Sequence, residues 1–354
     1  MKKIGFYLAH PAHFHLFKHV INDLLSNGCK VLVVYNEKDV LHELIESSEF
    51  KDQARRVRAN KKVDTKLALL IQFALKNIGA FKEFLLFRPQ IVLGTPILVA
   101  LIGRILPYKS IIVNEDDFDV ISKTSELGYP FADIILCPTV CRTSIFESKC
   151  IKYNGYHELA YLHPENFRPD RNICESVVDM SKPYFIIRFA KLNAHHDDGI
   201  QGIGTELAHK IIDKLEQFGN VYITSEGIIH KELEDYRISI APELIHHVIS
   251  HAELYIGDSQ TMAAEAGVLG IPFIRVNDFV GKISYLNELE IKYQLGYGIM
   301  PEKKEEILNK IDELLELKDR SEEFQRRRNV MLGDKINVAK YISSKVLSIL
   351  DENN

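Results

Sequence analysis

Twice along the chain a short apolar run gives way to a turn and then to a helical pattern, and the rhythm breaks once between the two series. Residues 3–9 read as a strand. Apolar residues then recur at helical spacing over 12–27 (Phe14, Phe17, Val20, Ile21, Leu24, Leu25), ended by Asn27-Gly28 before a strand at 30–35. Further strands are expected at 90–93, 110–113 and 133–136. Residues 154–182 carry His163-Pro164, Arg168-Pro169-Asp170 and Ser181-Lys182-Pro183, and read as an interdomain connection because proline disfavours helix before it. The rhythm restarts with strands at 184–189, 221–224, 254–256 and 272–276. Helices are expected at 205–218, 242–250 and 261–269, then at 302–316, 319–331 and 335–351. Alternating strands and helices imply parallel sheets covered on both faces. The expected architecture is α/β, two doubly wound domains facing a cleft. Ligands in such sheets sit beyond the carboxyl ends of the strands, so polar residues just after strands carry the functional question.

Composition narrows the function classes. A chain of 354 residues is long enough for two domains, and 46% hydrophobic with 26% charged residues is ordinary for a folded chain. Lys plus Arg number 44 against 49 Asp plus Glu, a net charge of −5, which speaks against a nucleic-acid partner. No apolar stretch is long enough to span a bilayer, and the apolar run after Met1-Lys2-Lys3 is too short for a signal peptide. Five cysteines (29, 137, 141, 150 and 174) fit reduced thiols in a cytoplasmic protein better than a disulfide framework. The Cys137–Cys141 spacing does not suit a structural zinc pair.

The strongest chemical signal is Leu254-Tyr255-Ile256-Gly257-Asp258-Ser259-Gln260-Thr261-Met262-Ala263-Ala264-Glu265. A strand ends in Gly-Asp-Ser, and hydroxyl N-caps at Ser259 or Thr261 would open a helix whose first N–H groups and dipole suit a diphosphate. Glu265, one turn in, has two oxygens for the hydroxyls of a ribose. The alternative is an ordinary capped helix with an exposed glutamate.

That stretch resembles the donor-nucleotide signature of GT-B glycosyltransferases. Two more segments extend the likeness: Ala9-His10-Pro11-Ala12-His13-Phe14-His15, and Tyr153-Asn154-Gly155-Tyr156-His157-Glu158-Leu159-Ala160-Tyr161-Leu162. Together they resemble an uncharacterised bacterial and archaeal family of predicted glycosyltransferases. Its relatives are the peptidoglycan N-acetylglucosaminyltransferase and the non-hydrolysing UDP-N-acetylglucosamine 2-epimerase. The sequence departs from the pattern at Ser259-Gln260, where that family usually has glycines.

The resemblance implies a GT-B fold of two Rossmann-like domains. Residues 1–165 would form an acceptor domain, joined by a terminal helix at 335–354 that crosses back, and residues 166–334 a nucleotide-sugar donor domain. It implies a UDP-linked sugar donor and a glycan or lipid-linked acceptor, in envelope or polysaccharide biosynthesis. The donor site would comprise Arg188, His195, His196, Ser225, Glu226, Gly257, Asp258, Ser259, Gln260, Thr261, Met262 and Glu265. No cofactor and no metal is implied: the helix terminus and Arg188 would stabilise the leaving diphosphate. The loop 190–204 also reads as a solvated loop, and residues 241–245 lie where such proteins hold the nucleobase.

In the first domain His13 is a candidate base for the acceptor hydroxyl, with helix capping and packing as the alternative. Glu115 is a candidate base or acceptor ligand, against an acidic helix start. Glu158 either binds substrate or holds the domain junction. Asp117-Phe118-Asp119 is formally a DxD but lies in the wrong domain for a donor metal. Residues 51–66 are basic, with Lys51, Arg55, Arg56, Arg58, Lys61, Lys62 and Lys66, and an apolar helical stretch follows over 67–87. They read either as a solvated basic loop before a core helix or as a peripheral contact with the inner membrane face. Three other functions stay open: a nucleotide-sugar epimerase, a non-catalytic glycan- or nucleotide-binding protein, and a metal hydrolase using His13 and His15.

Overall fold

Every described strand pairs in parallel with its neighbours, as apolar runs separated by helices require. The computed structural model describes residues 1–36, 40–57, 78–189, 202–225, 227 and 229–352. The chain divides into two compact units, Met1–Asn166 with Ile336–Asn354, and Phe167–Lys335.

Among the described residues the first unit holds a seven-stranded sheet. Its strands are β1 (Lys3–Leu8), β2 (Lys30–Asn36), β3 (Ala54–Val57), β4 (Ile91–Gly94), β5 (Lys109–Val113), β6 (Ile134–Pro138) and β7 (Cys150–Tyr153), in the order β3-β2-β1-β4-β5-β6-β7. The helix Pro11–Ser26 starts where proline suits a first turn, with the His10 ring accepting the Ala12 N–H. It buries Phe14, Phe17, Val20, Ile21 and Leu24. The terminal helix Val338–Asp351 belongs to this unit and packs on Pro11–Ser26, with the Ser343 hydroxyl donating to Asp23 at 3.1 Å. Its start is tied down twice, by Asn337 at the N-cap and by the Ile336 N–H donating to the Asn154 carbonyl at 3.0 Å.

The second unit holds β8 (Tyr184–Phe189), β9 (Asn220–Ser225), β10 (Leu254–Gly257), β11 (Phe273–Val276) and β12 (Gly296–Ile299), in the order β12-β11-β10-β8-β9. Its innermost helix, Gln260–Leu269, is buried from Met262 onward. Small side chains allow that depth. A Cβ on Gly267 would come within 2.8 Å of the Phe273 ring. The left-handed Gly270 ends the helix.

The described strands outside the sequence reading are β3, β7 and β12, and each lies at a sheet edge. Edge strands are short and half solvated, so they lack the apolar run that marks an interior parallel strand. β3 corrects the reading of its segment as a basic loop. Arg55 and Arg56 stand exposed on this edge strand, and the Arg55 guanidinium turns back onto the carbonyls of Asp52 and Ala54. Residues 58–66 of the basic segment lie outside the described residues, and of the following apolar stretch only 78–87 are described, as helix. The helix expected over 242–250 is shorter, Ile245–Ile249. The connection contains a turn at His157–Ala160 and a helix, Arg171–Glu175, capped by the Asp170 carboxylate. No helix among the described residues is long and apolar enough to cross a membrane.

A buried polar network braces the second sheet. Arg275, fully buried in β11, donates through Nε to Glu290 (2.9 Å) and through Nη1 to Asn277 (2.9 Å), and its Nη2 lies 2.8 Å from the same Glu290 oxygen as an ion pair. Burial pushes the Glu290 carboxyl above its ordinary pKa, partly opposed by Arg275. Removing one partner of such a pair strands the other charge. Arg275→Ala is expected to cost about 3 kcal/mol or more in urea unfolding, and the double change Arg275→Met/Glu290→Leu to recover most of it. Equal losses in both variants would contradict this account.

Candidate functional site

In a doubly wound sheet the crevice forms where strand order reverses. In the second unit that point is the β8–β10 boundary, since β9 follows β8 on one side and β10 lies on the other. Arg188 of β8 pairs with Gly257 of β10, and the Asp258 N–H reaches the Arg188 carbonyl at 3.3 Å. Gly257 is required by this approach. A Cβ there would lie 2.7 Å from both the Arg188 carbonyl and the Tyr255 hydroxyl.

Beyond Gly257 the chain turns into the helix. Ser259 is the N-cap, its hydroxyl accepting the Met262 N–H at 3.4 Å. Gln260 and Thr261 form the first turn, whose N–H groups lie outside the helical ladder. The Asp258 carbonyl accepts from Asn277 Nδ2 at 2.9 Å, so the braced network around Arg275 also fixes this turn. Gly202 backs onto the Asp258 carboxylate, where a Cβ would come within 2.6 Å of an oxygen. The Tyr255 hydroxyl lies beneath, fully buried, and burial holds its pKa well above the ordinary value. Ser225, at the end of β9, accepts the Gly227 N–H at 3.1 Å and closes the next turn.

Glu265 is 5% exposed, which excludes the reading as an exposed helix residue. His246 Nε2 lies 3.0 Å from Glu265 Oε1, and the His246 ring is also buried. Phe167 packs its ring against His247 at 4.8 Å and edge-on to His246 at 6.1 Å. His246 had no role in the sequence reading, and its only signal was its place on a short helix just before β10. His195, His196 and Glu226 lie outside the described residues.

The first unit brings Glu115 and the Glu158 segment together. Glu115 follows β5, and its Oε2 accepts the His157 backbone N–H at 2.9 Å while Oε1 lies 3.3 Å from His157 Nδ1. Glu158 is the next residue and is 1% exposed. Asp116 is pushed up to about 6, chiefly by burial and then by the Glu115 charge, with His157 opposing. Tyr153 and Cys141 are buried alongside, and both feel the Glu115 charge. His157, Asp116 and Tyr153 carry no role in the sequence reading, although Tyr153 and His157 fall within the 153–162 segment that bears the resemblance. Asp117 and Asp119 of the formal DxD both engage Arg142.

His13 sits in the first turn of Pro11–Ser26. Its Nδ1 accepts the Ala9 N–H at 3.1 Å, which favours the capping alternative. His15 packs against Tyr161 at 5.3 Å between ring centroids, and burial lowers His19 to about 4. Among the described residues no cluster of three or more His, Cys, Asp or Glu is arranged to hold a metal ion.

The chain belongs to the family described as "Protein of unknown function (DUF354)", whose model matches residues 3–339. No curated protein matches it in sequence. Solved structures share its fold across both units. The UDP-GlcNAc 2-epimerase from Neisseria meningitidis bound to UDP-GlcNAc superposes with a TM-score of 0.69 at 13% identity, covering 98% of this chain and 100% of that one. The Methanocaldococcus jannaschii UDP-GlcNAc 2-epimerase in complex with UDP-GlcNAc and UDP gives 0.68 at 15%, covering 99% of each. CalG4, the calicheamicin glycosyltransferase, gives 0.58 at 12%, covering 99% of this chain and 98% of that one. The fold is that of GT-B glycosyltransferases and these epimerases, two parallel sheets flanked by helices.

The raised Asp116 carboxyl has a signature in stability. The folded chain holds that proton up to about pH 6, whereas the unfolded chain releases it near 3.8. This contribution to stability is therefore complete below about pH 4 and is lost as pH rises through about 6. Asp116→Asn is expected to exceed the parent by about 1–2 kcal/mol at pH 7, with the two converging near pH 4, in urea titrations across that range. A constant difference would refute the assignment.

Proposed function

We propose that this protein is a nucleotide-sugar enzyme of the GT-B kind, a glycosyltransferase that moves a sugar from a UDP-linked donor to a glycan or lipid-linked acceptor. The observation that carries the reading is the β8–β10 switch point. There Arg188, the Asp258-Ser259 turn and the start of Gln260–Leu269 converge, with a buried Glu265 one turn in. The diphosphate would lie at the helix N-terminus, where unsatisfied N–H groups, the helix dipole and the Arg188 charge favour it. Glu265, with Oε1 held by His246, would accept from the ribose hydroxyls. Phe167 and the segment before Ile245–Ile249 would flank the base. The first unit would supply the acceptor side, including the proton-transfer group.

Departure of the diphosphate leaves negative charge on its oxygens. Donors already oriented toward that position stabilise it without reorganising, which is the largest contribution a preformed site can make. The Asp258 carbonyl is held by Asn277, so the turn would bind without first being ordered.

The alternative within this reading is a nucleotide-sugar epimerase. It is favoured by the epimerases bound to UDP-GlcNAc that superpose on the chain with TM-scores of 0.69 and 0.68. Solvent deuterium in recovered nucleotide sugar would distinguish it. A binding protein without turnover would hold UDP and do neither.

A thermal-shift panel of UDP, GDP, CDP, ADP and dTDP, with and without EDTA, tests the donor site. UDP is expected to raise the midpoint of the parent equally in both conditions. In Glu265→Ala its affinity should fall by about tenfold or more, as expected for loss of charged hydrogen bonds. UDP with 2′,3′-dideoxyribose should bind parent and variant alike. No stabilisation by any nucleotide, or full UDP affinity in Glu265→Ala, would overturn the proposal.

A further inference from the structure

A parallel sheet has an amino end and a carboxyl end, and the switch point uses only the carboxyl end of the second sheet. At the amino end, where β8 and β9 begin, the surface forms a groove of about 630 Å³. β8 has six residues at about 3.3 Å each, so the groove lies roughly 15–20 Å along the strand from the Gly257 turn. The floor of the groove is preformed. Gly219 passes the Pro183 carbonyl so closely that a Cβ there would lie 2.0 Å from its oxygen. The Asn220 N–H donates to the same carbonyl at 2.8 Å. Asp179 is then held at three points. Its N–H donates to the Tyr222 hydroxyl (3.0 Å), its carbonyl accepts from Asn220 Nδ2 (3.2 Å), and its Oδ1 accepts the Ser181 N–H (2.9 Å). The bond from Ser181 keeps the Asp179 carboxyl below its ordinary pKa. Three aromatic side chains line the same groove. Phe218 is half exposed, Tyr222 is braced edge-on by Tyr184 at 5.7 Å, and the Tyr236 hydroxyl bonds the Glu216 carboxylate.

We propose that this groove is a binding site for a neutral oligosaccharide, separate from the nucleotide crevice and independent of the donor-site reading. A pyranose presents C–H groups on its faces and hydroxyls around its rim. Aromatic rings pack against the first, and carboxylates and amides bond the second. The groove holds both kinds of group: the rings of Phe218, Tyr222 and Tyr236, the carboxylates of Asp179 and Glu216, and the Asn220 amide. Its volume is that of a small-ligand cleft. Two carboxylates against the one Lys182 ammonium disfavour a phosphate or another polyanion. A second groove, of about 410 Å³, shares Lys182 and runs on past Pro183 to Ser250 and Gln325. The surface therefore suits a chain of linked rings better than a single sugar. An extended peptide fits less well. It would add to the open side of β9, but Ile223 already pairs there with Arg237, and the Ile238 N–H takes the Ile223 carbonyl at 2.9 Å. The ordered floor means that a saccharide would bind without the loop at Asp179 first having to be fixed. Such a site tethers a glycan to the protein and raises its local concentration.

The test uses the full chain with chitotetraose, maltotetraose and mannotetraose as probes, followed by calorimetry and saturation-transfer NMR. At least one probe is expected to bind with a Kd of about 1 mM or tighter, its ring C–H protons receiving the most saturation. Phe218→Ala and Glu216→Gln should each weaken that binding by about fivefold or more, through a lost ring face and a lost charged acceptor. Both side chains stand at the surface, so the thermal midpoint should stay that of the parent. Saturating UDP should leave the bound probe in place. No binding of any probe up to about 10 mM, or binding that neither variant weakens, overturns the assignment. Displacement of the probe by UDP overturns it as well, because the sugar would then occupy the crevice. So does an oligothreonine peptide that binds the groove when none of the probes does, since that outcome marks strand addition. UDP affinity of the parent, measured alongside, reports on the crevice alone and keeps a failure of the donor-site reading distinct from these results.

Discussion

The Asp258 N–H donates to the Arg188 carbonyl across the β8–β10 boundary, and this one backbone contact organises the second unit. It needs a residue without a side chain at 257, because a Cβ would strike both the Arg188 carbonyl and the Tyr255 hydroxyl. It turns the chain out of the sheet where the strand order reverses, so that Ser259 can cap the next helix. It also places Asp258 where Asn277 can hold its carbonyl and Gly202 can pass close to its carboxylate. Parallel pairing, a small residue and a capped helix thus produce one turn of fixed shape at the sheet's carboxyl edge.

That turn is held in place by buried polarity as well as by packing. Arg275 is wholly buried, its charge is neutralised by Glu290, and Asn277 accepts a hydrogen bond from Nη1. Asn277 then serves the Asp258 carbonyl with its remaining donor. The network is costly to desolvate, yet each member fixes another, which makes it a device for geometry more than for stability. The His246–Glu265 pair follows the same logic one turn into the helix. In the first unit Glu115 and His157 repeat it, one carboxylate accepting the His157 backbone N–H and lying 3.3 Å from the ring Nδ1.

The interior of both sheets was legible in the sequence because buried parallel strands are nearly continuous apolar runs. β1, β2, β4, β5 and β6 in the first unit and β8 to β11 in the second were read within a residue or two. β3, β7 and β12 were not, since edge strands such as Ala54-Arg55-Arg56-Val57 and Gly296-Tyr297-Gly298-Ile299 carry charge or glycine in place of that pattern. The Gly-Asp-Ser turn and its helix were visible because cap, small residues and glutamate lie within one local stretch. The pairings that give Glu265 and Glu115 their chemistry were not. His246 lies 19 residues before Glu265, and His157 lies 42 after Glu115. Such pairs are made by sheet topology, which brings distant strand ends to one edge and leaves no periodic trace.

The central claim is that the β8–β10 switch point binds a nucleoside diphosphate through the start of Gln260–Leu269. A crystal structure of the chain grown with UDP tests it most directly. The account predicts the diphosphate against the N–H groups of the first helical turn and Arg188, with the ribose hydroxyls on Glu265 and His246 still bonded to it. UDP bound elsewhere, or bound with its ribose away from Glu265, would contradict it.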